Sequence, residues 1–293
     1  PATTLASFCY AGMFSGCTGI TLHEVGAGPT WGIPAGVQEA LGWNSGMLTG
    51  TGGSFTDNPV IGATYYYTAS TPPLSDAYLT FSSTNAFSIT PREKYWNGTL
   101  ETSTDTTNWV DFTTAGATAA ANGNGEFRLY IRGTGNNRIT GSYLREGWIV
   151  NAPTGTVACS GNIGALLDYA TVDGGGYPAM DTACFANLFR GCSALVNAPD
   201  LPATTLTPNC YYAMFYRTSL TNTPALPATN LADYCYSSLF EGCTGLTQTP
   251  VLPATTLAPN CYNHLFAHCV ALTNAPALPA MKMAEWCYYS MFE

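Results

Sequence analysis

One stretch of the sequence has cysteine and histidine at a spacing that could hold a metal ion. The residues are Cys261, His264, His268 and Cys269, and cysteine and histidine are the usual ligands of tetrahedral zinc. The stretch, however, is one copy of a repeated segment, and other copies keep the cysteines without any histidine. The two histidines replace residues of an exposed helix position and a glycine, so these side chains are not expected to converge. The sequence therefore predicts no metal site.

The eleven cysteines follow the same repeat. Ten occupy two repeat positions that lie eight residues apart, as in Cys184 and Cys192. One interpretation is a set of buried free thiols, which pack as small apolar side chains. The other is one disulfide per unit in an oxidising compartment. The unit that begins at Leu201 keeps Cys210 but lacks a second cysteine. Since obligate partners should be lost together, the sequence favours free thiols and leaves their oxidation state open.

An aromatic residue directly follows the first cysteine of every unit. If units stack, these rings align into a stripe. In one interpretation they pack between neighbouring units. In the other, exposed parts of the stripe bind a sugar or a protein, because tyrosine combines a broad ring with a hydroxyl that stays hydrated. The possible ligand-binding strip consists of Tyr211, Tyr212, Tyr236, Tyr262, Tyr288 and Tyr289.

No catalytic constellation accompanies these groups in the sequence. There is no Gly-x-Ser-x-Gly elbow for a nucleophile, and the sparse carboxylates mark no acid/base pair. The glycine-rich stretches are not followed by the Lys-Ser/Thr signature of a phosphate-binding loop. We therefore predict no catalytic residue, no cofactor and no enzymatic activity.

A possible modification site lies on a predicted turn. Asn97-Gly98-Thr99 is an N-glycosylation sequon, and Asn97 would carry the sugar. The alternative is that Asn-Gly here only forms a hairpin turn.

The candidate residues are positioned by a repeated segment of 25 or 26 residues. Its Leu-Pro starts fall at Leu201, Leu226, Leu252 and Leu278. Each unit is predicted to contain a Leu-Pro corner, a short helix with apolar residues at i, i+4, i+8 and i+9, and a short strand. A single unit cannot bury its apolar face alone, so neighbouring units must cover it. The sequence therefore predicts an α/β solenoid.

The units resemble BspA-like leucine-rich repeats, which occur in bacterial and protist surface proteins and in some phage proteins. The resemblance rests on Cys235-Tyr-x-x-Leu-Phe240, Gly242-Cys243 and Leu246, with their equivalents in each unit. It covers 1–22 and about 177–293, a little under half of the chain. It implies a leucine-rich-repeat architecture and a surface setting, and says almost nothing about activity.

Between the two repeat regions the apolar periodicity changes to two. Short alternating runs, such as Tyr78–Phe81 and Phe127–Ile131, are separated by turn residues, a pattern typical of an Ig-like β-sandwich. The predicted domains are the last repeat of an upstream array at 1–22, a cap and connector at 23–75, the all-β sandwich at 76–160, an N-terminal cap at 161–176, and an incomplete repeat array at 177–293.

Composition narrows the class of partner. Charged residues make up 9% of the chain, against about 25% in ordinary soluble domains, and the net charge is −9. With only nine Lys and Arg and no basic run, nucleic-acid binding is not expected. No apolar run reaches the roughly 18 residues that a membrane span needs, so we expect no span in this segment.

We expect a non-enzymatic, extracellular or cell-surface repeat protein that is a structural building block of a fibre or surface layer. Its partners would be other copies or neighbouring modules of the same chain, which begins and ends inside a repeat and is expected to be part of a longer protein. One alternative is an adhesin whose array binds glycans or host surface proteins. Another is a phage fibre or decoration protein on the virion surface.

Overall fold

A computed structural model describes residues 78–141 and 147–293, together with four strands nearer the N-terminus. The chain divides into two compact units, 1–74 and 75–293. In the first unit the four strands form one sheet in the order β2-β4-β1-β3. These strands are β1 (Ile20–His23), β2 (Thr30–Gly32), β3 (Ser54–Phe55) and β4 (Thr64–Ala69). The rest of the predicted repeat at 1–22 and of the cap at 23–75 lies outside the described residues.

The second unit begins with two β-sheets. The larger has the order β14-β13-β5-β11-β7-β8, with β10 also paired to β11, and the smaller has the order β12-β6-β9. The strands are β5 (Leu79–Ser83), β6 (Ser88–Pro91), β7 (Thr99–Ser103), β8 (Val110–Asp111), β9 (Ala117–Thr118), β10 (Ala120–Ala121), β11 (Phe127–Thr134), β12 (Trp148–Asn151), β13 (Val157–Ser160) and β14 (Leu195–Asn197).

Alternating burial explains how these strands meet. Along β12, Trp148 and Val150 are buried whereas their neighbours are exposed, as a strand with one core-facing side requires. The Trp148 ring lies edge-on to Phe112, which follows β8, with ring centroids 5.2 Å apart. The two sheets therefore share one aromatic core. The Ig-like topology itself stays a prediction.

The prediction of an α/β solenoid is wrong, because the repeat units contain no α-helix. In the described residues the only helix is α1 (Ala165–Asp173), which precedes the repeats. The segments expected to be helical are successions of tight turns. Left-handed backbone angles recur every fourth residue, with φ of 58° at Asn187 and 73° at Gly191, and an α-helix does not contain them. With one helix and mostly β-strands, the described chain fits an all-β fold.

Backbone hydrogen bonding explains why turns replace the helix. In an α-helix each N–H donates within its own segment, four residues back. Here the Leu188 N–H donates three residues back to the Phe185 carbonyl, at 3.1 Å. The next N–H, of Phe189, donates to the Met214 carbonyl of the following unit, at 3.0 Å. Alternate amides therefore bind the neighbouring unit, and the hydrogen bonds of each unit depend on the next.

Successive units lie on one another in register. The Tyr211 and Tyr236 rings stack with centroids 5.8 Å apart and planes within 10°. A second column runs beside the first, where Phe215 and Phe240 stack at 5.9 Å. The first column contains Phe185, Tyr211, Tyr236, Tyr262 and Tyr288, and the second contains Phe189, Phe215, Phe240, Phe266 and Phe292.

The sheets of the second unit cover the first repeat directly. Strand β13 pairs in parallel with β14, which belongs to that repeat. The Trp148 N–H donates to the Leu188 carbonyl at 2.7 Å, and the Trp148 ring lies 6.0 Å from that of Phe189. The segment predicted to be a cap also contributes, since the Ile163 N–H donates to the Asp200 carbonyl. The sandwich region and the repeats are therefore packed as one body.

Candidate functional site

The structure separates the predicted ligand-binding strip into an interior and a surface part. The rings of Tyr211, Tyr236 and Tyr262 are fully buried in the first aromatic column, so a ligand at the surface cannot reach them. Tyr288 is partly buried in the same column. Tyr212 is also partly buried, and Tyr289 is 47% exposed. Of the strip, only Tyr212 and Tyr289 lie next to the column rather than in it.

The buried phenols remain neutral. The Tyr211 hydroxyl lies 3.1 Å from that of Tyr177, so this pair shares a hydrogen bond. The hydroxyls of Tyr236 and Tyr262 have no hydrogen-bond partner within the described part of the chain. Burial raises the pKa of Tyr236 well above its ordinary value, because a phenolate would lose its hydration. These groups are not suited to acid/base chemistry near neutral pH.

All nine cysteines of the described residues are free and buried. In the units that contain them, the second-position thiols donate to main-chain carbonyls of the preceding layer, as Cys243 does to Phe215 and Cys269 to Phe240, both at 3.0 Å. Burial raises the pKa of Cys243 to about 11 and that of Cys269 to about 12. A reactive cysteine needs a lowered pKa and access to solvent, so these thiols are structural. Of the two sequence interpretations, the structure contains the free thiols.

The metal-like stretch does not form a coordination site. Cys261 and Cys269 are buried, and His268 is exposed. The Nδ1 atom of His264 contacts the neighbouring amide oxygen of Asn263, while its Nε2 atom lies 3.8 Å from the Glu293 carboxylate. Across residues 78–141 and 147–293, no three His, Cys, Asp or Glu side chains are placed to hold a metal ion together.

Asn97 is exposed on a bend that precedes β7. Its side-chain oxygen accepts the Asn137 N–H at 3.1 Å, and the Gly98 N–H donates to Asn136 at 2.6 Å. A side chain at Gly98 would meet the Thr134 carbonyl at 2.2 Å, so this close approach requires glycine. The Asn-Gly pair therefore has a structural role here, and glycosylation of Asn97 stays a prediction.

A cationic and aromatic cluster beside Tyr212 was missed by the sequence reasoning. The guanidinium carbon of Arg190 lies 4.0 Å from the Tyr216 ring centroid, and that of Arg217 lies 5.0 Å from it. Tyr212 interacts electrostatically with Arg190, Tyr216 and Tyr234, and Tyr234 is 40% exposed. A signal was available, because Arg190 and Tyr216 occupy the same position in successive units.

An apolar groove crosses the Leu-Pro corners of two units. It has a volume of about 450 Å³, and its walls include Pro224, Pro227, Pro250 and the exposed Val251. None of its lining residues is titratable, so the groove offers surface without acid/base groups.

No protein-family model matches the sequence, and no curated protein and no solved structure is significantly similar to it. Kinship with BspA-like repeats therefore stays a prediction from the repeat motif. Of the described residues, none belongs to a helix long and apolar enough to cross a bilayer.

Proposed function

We propose that the chain is a non-enzymatic extracellular repeat protein, a structural building block of a fibre or surface layer. The observation that supports this most directly is the continuity of the two aromatic columns. Each ring covers the next at 5.6 to 6.0 Å, so the apolar core passes from unit to unit without a break. A core that is continuous from unit to unit suits a long, stiff element of a fibre or surface layer.

Backbone bonding supports the same function. Alternate amides of one unit donate to the next, as Tyr236 does to Cys261 and Ser238 to Asn263, at 3.1 and 2.8 Å. Burial raises the pKa of the Cys243 thiol and of the Tyr262 phenol, which favours persistence over reactivity.

Electron microscopy of the purified chain, with mass measured by light scattering, tests this function. We expect ordered polymers with a regular repeat along their length. A Phe240→Ala variant, which removes one ring in the middle of the second column, should shorten or abolish them. Only monodisperse, unassembled particles at high concentration would contradict a fibre-forming role.

An adhesin that binds glycans is the second candidate function. It is favoured by aromatic side chains left at the surface of a chain with few charges, namely Tyr234 at 40%, Trp286 at 53% and Tyr289 at 47% exposure. Exposed tyrosine and tryptophan offer ring faces and polar tips to sugars. A glycan array tests it: retention that Tyr212→Ala and Tyr289→Ala weaken is expected, and an array without any retained glycan would exclude it.

A further inference from the structure

We propose that Arg190 and Arg217 bind the carboxylate or sulfate group of an acidic glycan. This inference rests on the second candidate function and names its ligand class. It is independent of fibre formation, because neither arginine belongs to the aromatic columns.

Both guanidinium groups lie within cation–π distance of one aromatic ring near the surface. Both contact the ring of Tyr216, at 4.0 Å from Arg190 and 5.0 Å from Arg217. Arg190 also donates to the side-chain oxygen of Asn187, at 3.4 Å. A cation–π contact uses the face of a guanidinium group, and the N–H donors on its edges can still bind an anion. The side chains are therefore ordered before a ligand arrives, which reduces the entropy lost on binding.

Charge pairing distinguishes these two arginines from others in the chain. Arg128, Arg132 and Arg138 each form an ion pair with a carboxylate, at 2.7, 2.9 and 3.5 Å. Within the described residues, neither Arg190 nor Arg217 has a carboxylate within 4.0 Å. In a chain of net charge −9, the structure leaves these two cations available to an external anion. A guanidinium binds carboxylate or sulfate oxygens through parallel hydrogen bonds.

The surroundings favour a sugar as the carrier of that anion. Tyr212 lies near enough to Tyr216 and Tyr234 to interact with both electrostatically, and Tyr234 is 40% exposed. Rings of this kind can pack against the C–H face of a pyranose. Glu241 occupies the position of Tyr216 in the next unit, and its carboxylate can accept hydrogen bonds from sugar hydroxyls. The cluster therefore fits one acidic group on a hydroxylated ring.

The test measures binding of the whole chain to polygalacturonate and to chondroitin sulfate by biolayer interferometry, with neutral dextran as the matched control. We expect binding to an acidic polysaccharide and none to dextran, with affinity that falls as salt is added. The double variant Arg190→Gln/Arg217→Gln should bind at least about tenfold more weakly, since a charge-assisted hydrogen bond contributes that much or more. Arg128→Gln, which alters a paired arginine on β11, should bind like the unaltered protein, and thermal melts verify that both variants fold.

The outcomes separate this inference from the second candidate function. Equal binding to dextran, or acidic binding that the double variant retains, would overturn the arginine site while leaving a glycan adhesin in place. Tighter binding to poly-glutamate than to either acidic polysaccharide would overturn the sugar as ligand. No binding to any glycan would exclude both the site and the adhesin.

Discussion

The hydroxyl of Thr218 lies 3.2 Å from the thiol of Cys243 in the next unit. Thr218 itself occupies the position that the second cysteine holds in other repeats. Both groups also lie 3.0 Å from the Phe215 carbonyl. The unit that begins at Leu201, which lacks a second cysteine, thus keeps a small hydrogen-bonding side chain at that place. What this position requires is a buried group of this size that can donate to a carbonyl, and a disulfide is not needed.

Replacing Thr218 with valine tests that requirement. Valine has nearly the same shape but cannot bind the Phe215 carbonyl or the Cys243 thiol. We expect the free energy of unfolding to fall by about 1 to 2 kcal/mol, measured by urea denaturation. Thr218→Cys restores a donor and should recover most of the loss. If the valine and cysteine variants are equally stable, the hydrogen bond does not matter at this position.

Removing one ring from the second column should cost more in its interior than at its last member. Phe240 is fully buried, and Phe240→Ala should lower the unfolding free energy by about 3 to 5 kcal/mol. Phe292 is 48% exposed and stacks on one described ring, so Phe292→Ala should cost well under half as much. Chemical denaturation of both variants makes the comparison, and equal losses would argue against the columns as the main core.

Alanine substitutions at two glycines allow the cost of backbone strain to be measured separately from the cost of steric contact. Gly191 and Gly242 both have left-handed backbone angles, with φ of 73° and 74°. A Cβ atom at Gly191 would meet nothing within 4 Å, whereas one at Gly242 would meet the Arg217 side chain at 2.8 Å. Gly191→Ala should therefore cost about 1 kcal/mol from strain alone, and Gly242→Ala should cost more. Thermal unfolding ranks the two, and a more stable Gly242→Ala protein would contradict the arrangement.

Alkaline pH should destabilise the repeats. Burial raises the pKa of Cys243 from 9.0 to about 11, and that of Cys261 to about 12. Below pH 9 these thiols are protonated in both folded and unfolded chains, so their contribution to stability is complete. As pH rises toward the folded pKa values, only the unfolded chain releases protons, and stability is lost.

Urea denaturation at a series of pH values between 7.5 and 11 measures this loss. Cys243→Thr, which copies the residue found at Thr218, removes one of the titrating groups and should flatten the decline between pH 9 and 11. A decline of the same steepness in this variant would mean that other groups cause it.

The sequence predicted the packing of the repeats better than their backbone. The 25- or 26-residue period and the stacking of units follow from the need to cover apolar faces. For Tyr211, Tyr236 and Tyr262 the sequence left burial and ligand binding open, and only the structure shows that these rings are buried. The predicted helix was wrong, because apolar residues at every fourth position are compatible with a run of turns as well as with a helix. The left-handed backbone angles at Ala213 and Ser238 could not be predicted, since neither alanine nor serine favours them.

The Arg190–Tyr216 cluster and the role of Trp148 depend on contacts between distant parts of the chain. Arg190 meets Tyr216 only because units stack in register, 26 residues apart. Trp148 contacts the first repeat through backbone pairing that no local pattern encodes. Such contacts become visible once the register between units and sheets is known.

Main-chain bonds such as that from Tyr236 to Cys261 run along the stack, so a pulling force between its two ends would load the junctions in series. The weakest junction would open first, and the outermost unit, held by one described neighbour, would detach before the units that the sheets anchor. Each detachment releases 25 or 26 residues, or roughly 85 Å of extended chain. A single molecule held in optical tweezers should therefore lengthen in equal steps of about that size. Each step would dissipate mechanical work, so the stack would yield gradually under force and would not break in a single event.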